Sequence, residues 1–473
     1  MLKKNQNILL FAVPILIFII VKGLLGFNGY YGQDSHEYLR VAKSLYQSYG
    51  TDVVVQDFFM AIPLTYSFIG SVFSFVFSPD FSLQLVSILS LLVATFYFSG
   101  LLKLVFPTYE QRVMPFTLLF FVLSPNVLKA SMLAMTDMLC LAFIVAGFYY
   151  AVLYWRHAVG FALLMCIFCF ASAFMTRYLA APLLLTPSFL TIFYFFKYRH
   201  FKWLPLVIVA IFLAFLPQLL VRQSDFFSFL GDKGISLWSV KHLFQSKFEM
   251  DLAQAQYKNI NLLFVLKNWW HPSYLLLGIP FLFFVRKEDF QKQAIVVGIL
   301  MTFFYAFYLG GVSFQNVRYL LLSFPFILLF FFPAFNRILD KLPAPKIRPI
   351  LWGSLCILQL GMFGFLLQKL MVHNQREQKM TAIVQEEIPE PTTIYTLGME
   401  GPLRTYTPHV AHSLWGKKIN QIEQNAYLLF NEKEGRSQLL DASVWENYDY
   451  LQQNFKLENI YTFENGFILY AIR

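Results

Sequence analysis

Long apolar segments alternate with short polar segments along most of the chain. An α-helix rises 1.5 Å per residue, so about 20 apolar residues cross the hydrocarbon core of a bilayer. The pattern predicts about eleven membrane-spanning helices, at residues 8–27, 81–102, 112–128, 137–154, 158–176, 178–196, 203–221, 273–285, 293–312, 319–335 and 349–371. The fold class is therefore a polytopic α-helical membrane protein.

One further apolar stretch, Phe58–Phe77, is interrupted by glycine, proline and hydroxyl residues, and only Ser78-Pro79-Asp80 separates it from the next span. If it does not cross, all the short basic loops fall on one side of the membrane. Their residues are Lys3, Lys4, Lys103, Arg112, Arg156, Lys197, Arg199, Lys202, Arg286, Lys287, Lys292, Arg337, Lys341, Lys346 and Arg348. Cytoplasmic loops carry such an excess of Lys and Arg. We therefore interpret Phe58–Phe77 as a juxtamembrane or re-entrant segment on the outer face.

This topology predicts an outer face built from particular loops and from the tail of the chain. A membrane domain occupies residues 1–371, with outer loops at 28–80 and 222–272, and the outer ends of several spans join them. Residues 372–473 are less apolar and also fall outside. Predicted strands at 392–397 and 427–430, a helix at 444–455 and a hairpin about Asn465-Gly466 make this tail a small exported α/β domain. We interpret its His409 and His412 as surface residues rather than ligands.

Composition agrees with a membrane protein. Hydrophobic residues make up 58% of the chain and charged residues 14%, and the mean hydropathy is +0.55. The net charge of +10 is spread over loops between apolar segments, which excludes a nucleic-acid-binding protein. The four cysteines all lie in apolar segments. Cys166-x-x-Cys169 has no second pair, so we interpret it as part of the helix core rather than as a redox or metal motif.

Acidic residues follow the first span, and they are the first candidates for chemistry. Asp34, Glu37 and Asp52 lie along this segment, beside Tyr30, Tyr31 and Tyr38. A carboxylate at a membrane surface suits a general base that takes a proton from a hydroxyl beside a lipid-borne substrate. The alternative is a solvated acidic loop.

Three more ionisable residues stand where spans meet the same face: Asp137, Arg177 and Arg318. An acid at the edge of a span is costly unless it is paired or functional, although a helix N-terminus also favours Asp. A guanidinium matches phosphate geometry, but it can also snorkel to the interface. The tryptophans and lysines of loop 222–272 form an interfacial belt by default, or a lid over a lipid phosphate.

The order of these motifs resembles the C-type (GT-C) membrane glycosyltransferases that use polyprenyl-phosphate sugars. Within that superfamily it is most similar to the protein O-mannosyltransferase and lipid A aminoarabinose transferase group. The likeness rests on Asp34-Ser35-His36-Glu37-Tyr38-Leu39 with Ala42 and Leu45, Ile62-Pro63-Leu64, Asp137 after Ser124-Pro125, and Arg318-Tyr319-Leu320 with Pro325. One position departs from it, because Ser35 stands where the group has a second acid.

The resemblance implies that residues 1–371 form a catalytic domain for an inverting transfer on the outer face of the inner membrane. Asp34 would be the general base, and Asp137 would assist it or position the acceptor. Arg318 and Arg177 would stabilise the polyprenyl phosphate leaving group, with Tyr38, Glu37 and Tyr319 completing substrate binding. The partners would be a polyprenyl-phosphate sugar, a protein, lipid or glycan acceptor, and membrane lipid. We expect no obligatory metal, although a divalent cation remains an option.

Two other classes stay open. A transporter or flippase usually carries charges midway through its helices, often in two related halves. In this chain the ionisable residues gather at the ends of the spans instead, which favours an enzyme. A non-catalytic assembly subunit with the same fold is the third class.

Overall fold

A computed structural model describes residues 2–48, 63–222, 238–250, 253–275, 278–341, 347–414, 419, 422–423, 425–438 and 442–473. Asp52 and residues 58–62 of the juxtamembrane prediction lie outside this description. The helices are α1 Leu2–Ile19, α2 Gly32–Ser48, α3 Thr65–Phe73, α4 Pro79–Val105, α5 Glu110–Phe116, α6 Pro125–Met132, α7 Asp137–His157, α8 Gly160–Thr176, α9 Ala181–Lys197, α10 Leu204–Arg222, α11 Asn261–Val265, α12 Gly278–Leu282, α13 Gln293–Gly311, α14 Phe324–Lys341, α15 Ile347–Glu387, α16 Glu400–Tyr406, α17 Glu432–Gln438 and α18 Ala442–Asn454. The strands are β1 Lys247–Met250, β2 Ala253–Gln256, β3 Thr393–Thr396, β4 Val410–Ser413, β5 Tyr427–Phe430, β6 Leu457–Thr462 and β7 Ile468–Ile472.

The membrane character predicted from the sequence is confirmed. Among the described residues, seven helices are long and apolar enough to cross a bilayer, and a helix pair bent by 65° makes an eighth if it counts as one span. The bent pair is Pro107–Val122 with Pro125–Met132, and two shorter apolar helices, Ile8–Leu24 and Gly160–Thr176, complete the set. Every predicted span except 273–285 coincides with one of these helices.

The exception, 273–285, contains only the five-residue helix α12 among its described residues. Gly278 and Pro280 interrupt any longer helix there. The segment nevertheless extends along the helix that begins at Val317. The Tyr274 hydroxyl donates to the Val317 carbonyl at 2.6 Å, and the Phe284 carbonyl accepts from Arg337 some twenty residues later. An irregular backbone is tolerated at this depth because protein surrounds it.

The described part of the juxtamembrane stretch, residues 63–77, contains one short helix, α3. Helix α3 has nine residues and is about 14 Å long, well short of the hydrocarbon core. Its polar side chains bond inward to other elements: Ser67 donates to the Tyr38 carbonyl at 3.1 Å and Tyr66 to the Leu83 carbonyl at 2.7 Å. Helix α3 is therefore anchored between α2 and α4.

Described basic residues from several of the loops predicted to share one side lie together at one end of the helical domain. There, Arg112 pairs with Asp340 at 2.5 Å, and Arg337 pairs with Asp289. Lys292 donates to the carbonyl of Val105 at 3.2 Å. Between the two ends, aromatic rings fill the core, with Phe281 packed against Phe331 at 5.5 Å.

The long helix α15 joins the membrane domain to a C-terminal sheet. Its 41 residues extend about 60 Å, twice the thickness of the hydrocarbon core. The domain boundary predicted at residues 371 and 372 therefore falls within a continuous helix. The sheet has the order β4-β3-β5-β7-β6, with β3 parallel to β4 and β5, and with β7 antiparallel to β5 and β6.

Several tail elements follow the predictions. Strands β3 and β5, helix α18 and the β6–β7 hairpin lie where expected, and Gly466 supplies the positive φ of +88° in the turn. The surface assignment of His409 is wrong: the residue is 3% exposed, and its Nδ1 accepts from the Thr392 N–H at 3.3 Å. It precedes β4, a strand that the sequence did not reveal. His412 is exposed, as expected. Cys166 and Cys169 are buried and form no disulfide, which confirms their core role.

Candidate active site

The four ionisable residues singled out in the sequence meet at one end of the helical domain, opposite the basic loops. We call Asp34, Asp137, Arg177 and Arg318 the carboxylate–guanidinium cluster. Asp34 pairs with Arg318 and Asp137 with Arg177. A weaker contact of 3.8 Å joins the Arg318 Nε to an oxygen of Asp137, so the two pairs form one network.

Each residue of the cluster stands at an element boundary. Asp34 and Asp137 lie in the first turns of α2 and α7, where the free N–H groups and the helix dipole favour a negative carboxylate. Arg177 is extended, with φ −160° and ψ 110°, between α8 and a short 3₁₀ turn. Arg318 is the second residue of the 3₁₀ helix Val317–Ser323. Helix termini therefore assemble the cluster from four distant segments of the chain.

A tight turn brings Asp34 to this place. Gly26 and Gly29, between the first apolar helix and α2, and Gly32, the first residue of α2, all have positive φ. Gly29 is also packed so closely that a Cβ there would lie 2.5 Å from the amide nitrogen of Gln84. Only glycine combines this φ with that close approach.

The two ion pairs differ in exposure. The side chains of Asp137 and Arg177 are 3% and 10% exposed, whereas those of Asp34 and Arg318 are 49% and 22% exposed. The Asp137–Arg177 pair is closed to solvent, and the Asp34–Arg318 pair is open to it. Asp34 is therefore the carboxylate that an incoming substrate can reach.

Two tyrosines complete the surroundings of the cluster. The Tyr319 ring faces both guanidiniums. Its centre lies 4.6 Å from the guanidinium carbon (Cζ) of Arg177 and 5.6 Å from that of Arg318. Tyr38 is buried, with its hydroxyl 3.4 Å from that of Thr136. Burial and then the charge of Asp34 raise the pKa of Tyr38 to about 12, so it is a neutral phenol near pH 7.

Not every predicted residue joins the cluster. Glu37 pairs instead with Arg40, one turn along the same helix, at 2.5 Å. In loop 222–272, Trp269 packs against Phe330 and Phe331, with ring centres 6.0 and 5.7 Å away, so it belongs to the core rather than to an interfacial belt. Lys233 of that loop lies outside the described residues.

One residue beside the cluster was missed from the sequence. Lys129, on α6, lies within electrostatic range of Asp137 and Arg318, and its ammonium sits 5.7 Å from the centre of the Tyr31 ring. No described carboxylate lies within 4.0 Å of it. The sequence feature that could have identified Lys129 is the presence of a lysine within the apolar region 112–136. With Lys129, two carboxylates face three cations, and the site carries a net positive charge.

The described residues include no group of three or more His, Cys, Asp and Glu side chains that could hold a metal ion. The carboxylates of the cluster are engaged by guanidiniums instead. What the arrangement offers chemically is one accessible carboxylate beside several fixed positive charges. Such charges favour an anion with the geometry of a phosphate.

No model of a known protein family matches the chain, and no curated protein sequence does. Solved structures do resemble it. ArnT from Cupriavidus metallidurans bound to undecaprenyl phosphate superimposes with a TM-score of 0.66 and 14% identity, over 99% of this chain and 98% of that chain. Its apo form gives the same score at 13% identity, over 100% and 98%. The oligosaccharyltransferase AglB from Archaeoglobus fulgidus, with an inhibitory peptide and a dolichol-phosphate, gives 0.54 at 11% identity, over 100% and 74%. The chain thus has the fold of ArnT and AglB.

Proposed function

We propose that this protein is an inverting glycosyltransferase that moves a sugar from a polyprenyl-phosphate donor to an acceptor on the outer face of the membrane. The observation that carries the proposal is the half-exposed Asp34 paired with Arg318, beside a buried Asp137–Arg177 pair. Fold similarity adds support, because the similar ArnT and AglB structures contain undecaprenyl phosphate and dolichol-phosphate.

In the proposed reaction, Asp34 accepts the proton of an acceptor hydroxyl or amine. The freed oxygen or nitrogen attacks the anomeric carbon of the donor, and the bond from that carbon to the phosphate oxygen breaks with inversion. The electron pair of that bond leaves with the polyprenyl phosphate. Arg318 and Arg177 stabilise the charge that develops on the phosphate, a type of interaction that usually contributes most to catalysis.

Arg318 has two partners in this scheme. Without a donor it holds Asp34, and a bound phosphate competes for the same guanidinium. Donor binding would thereby release Asp34 to act as a base. Asp137, at 3% exposure, contacts both arginines and is too buried to meet an acceptor, so we assign it to holding the guanidiniums in place.

The positive-inside rule supports an outer location for the site. The basic loops lie at the opposite end of the helical domain from Asp34, and the C-terminal sheet lies at the same end as the site, through contacts of Gln33 with Gly398 and Gly401. We propose that the protein is located in the inner (cytoplasmic) membrane of the cell. The acceptor would be a protein, a lipid or a glycan.

The test uses purified protein in lipid with a panel of polyprenyl-phosphate sugars, and records release of polyprenyl phosphate. Release by the wild type and its loss in Asp34→Asn would support the enzyme class, the donor and the base together. No release from any donor by folded wild-type protein would contradict the proposal and favour transport, which flux measurements in vesicles would then detect.

A further inference from the structure

The first turn of α2, which carries Asp34, is held by the C-terminal domain on both sides of that aspartate. On one side, the Gln33 side chain donates to the Gly398 carbonyl at 2.5 Å and accepts from the Gly401 N–H at 2.7 Å. On the other side, the Nδ1 of His36 lies 2.8 Å from the hydroxyl of Thr405. Residues 33 and 36 therefore connect Asp34 to the segment 398–405. We call this set of contacts the α2–α16 seam.

The His36 side of the seam is buried and closely packed, whereas the Gln33 contacts lie at the surface. His36 is 2% exposed, and its Nε2 lies 3.7 Å from Glu377 on the protruding part of α15. The other oxygen of Glu377 lies 3.0 Å from the Nε2 of His373. The rings of Tyr30 and Tyr406 enclose His36 at centre distances of 5.1 and 5.7 Å.

Gly401 shows how close the two elements are. A Cβ at this position would lie 2.6 Å from the Gln33 oxygen and 2.8 Å from the Cβ of His36. Any larger residue would push α16 away from α2. The hydroxyl of Tyr406, at the end of α16, also accepts from the Asn28 amide at 2.7 Å, so the contact extends to the turn before α2.

We infer that the C-terminal domain positions the catalytic base through the α2–α16 seam, with Gln33 and His36 as positioning residues. This inference rests on the proposed function. Arg318 is the ion-pair partner of Asp34 in the described structure, and a donor phosphate draws that partner away. The seam then remains to fix the first turn of α2 against the acceptor. A misplacement of about 1 Å in such a group can cost about a hundredfold in rate.

A loss of positioning and a loss of donor binding have different effects on the kinetic constants. The seam does not include Arg177 or Arg318, so its loss should leave donor affinity intact. We expect Gln33→Ala, His36→Ala and Gly401→Leu to lower kcat by about 10- to 100-fold with donor KM changed by less than about threefold. His36→Asn, whose amide can replace Nδ1 toward Thr405, should recover part of the rate lost in His36→Ala.

A matched control separates the seam from general loss of domain stability. Thr396→Val removes a buried 2.7 Å hydrogen bond to the Leu429 carbonyl within the C-terminal sheet, away from α2. This control should keep kcat within about twofold. It should lower the free energy of unfolding by about the contribution of one hydrogen bond. Equal losses of kcat in Thr396→Val and His36→Ala would overturn the inference.

Hydrogen–deuterium exchange tests the seam without any turnover. In the full-length protein in lipid, amides of residues 33–40 should exchange about tenfold faster in His36→Ala and Gly401→Leu than in the wild type or Thr396→Val. Unchanged exchange in α2 in both folded variants would contradict the inference even if activity fell. If the wild type transfers no sugar, the proposed function fails, and exchange still decides whether this domain holds α2.

Discussion

At the scale of single residues, Asp34 and Asp137 have the same functional group in unlike surroundings. Asp34 is half exposed and shares Arg318, whereas Asp137 is buried and contacts both arginines. In the proposed mechanism, this difference in exposure gives the proton transfer to Asp34 and the positioning of the guanidiniums to Asp137. The sequence placed both residues on one face, and the family resemblance made Asp34 the base, but spacing along the chain did not reveal that Asp137 is buried.

The buried pair yields a stability prediction. Asp137→Asn leaves Arg177 buried without its counter-charge, which typically costs about 3–5 kcal/mol. Asp289→Asn breaks a similar pair with Arg337 at the opposite end of the helical domain, where Asp289 is 6% exposed. Denaturation in detergent should show comparable losses in the free energy of unfolding for both variants. Donor turnover should fall further in Asp137→Asn, and equal turnover in the two variants would refute its role at the site.

Lys129 allows a test of the net positive charge. Lys129→Gln should raise the donor KM by about tenfold with a smaller effect on kcat, because it removes a charge that acts on the phosphate in both the ground state and the transition state. Lys103→Gln is the control, since Lys103 lies at the opposite end beside Glu110 at 3.7 Å. Steady-state kinetics over a range of donor concentrations would check this. An unchanged KM in Lys129→Gln would remove Lys129 from the site.

At the scale of elements, the sequence predicted helices far better than it predicted the connections between them. Hydrophobic length identifies a span such as α7, because a bilayer imposes both length and polarity. The segment 273–285 has a suitable composition, but its described residues form only the short helix α12, and contacts of Tyr274 and Phe284 also hold it in place. Helix α16 and strand β4 were not predicted, because their segments are short and their pattern is weak. Of the two, helix α16 carries the Gly401 and Thr405 contacts of the α2–α16 seam.

Helix α15 yields a prediction at this scale. Its continuity carries Glu377 from the membrane domain to His36. Val372→Pro, at a position that is 48% exposed, would remove a backbone hydrogen bond and kink the helix between the membrane span and the seam. We expect polyprenyl phosphate release to fall by at least about tenfold. Val372→Ala is the control and should retain the wild-type rate. Wild-type release by a folded Val372→Pro variant would show that the continuity of α15 is dispensable.

At the scale of the whole molecule, charge parity predicted which loops lie together. Counting spans from the basic loops placed Asp34, Asp137, Arg177 and Arg318 on one face, and the structure brings them into one cluster. Counting spans groups the loops because each crossing reverses the side of the membrane. Whether Phe58–Phe77 crosses therefore determines the side of every later loop. Pair distances within the cluster could not be predicted, because they depend on helix packing.

The corresponding prediction concerns which end of the molecule faces the outside of the cell. His412→Cys, on the exposed side of β4, and His157→Cys, at the opposite end of α7, place single reporters at the two ends. In intact cells, a membrane-impermeant maleimide should label only His412→Cys, and permeabilised cells should label both. The wild type measures the background from the native cysteines, three of which are buried. Labelling of His157→Cys alone in intact cells would reverse the proposed topology.

The most direct test of the account is the single-turnover rate of polyprenyl phosphate release in Asp34→Asn compared with Asp340→Asn. Asp340 is 52% exposed and pairs with Arg112 at 2.5 Å, so it matches Asp34 in exposure and in its type of partner but lies at the opposite end. With Asp34 as the base, Asp34→Asn should lower the rate by about 10²- to 10⁴-fold, and Asp340→Asn should stay near the wild type. Equal rates in the two folded variants would contradict the assignment of Asp34 as the base.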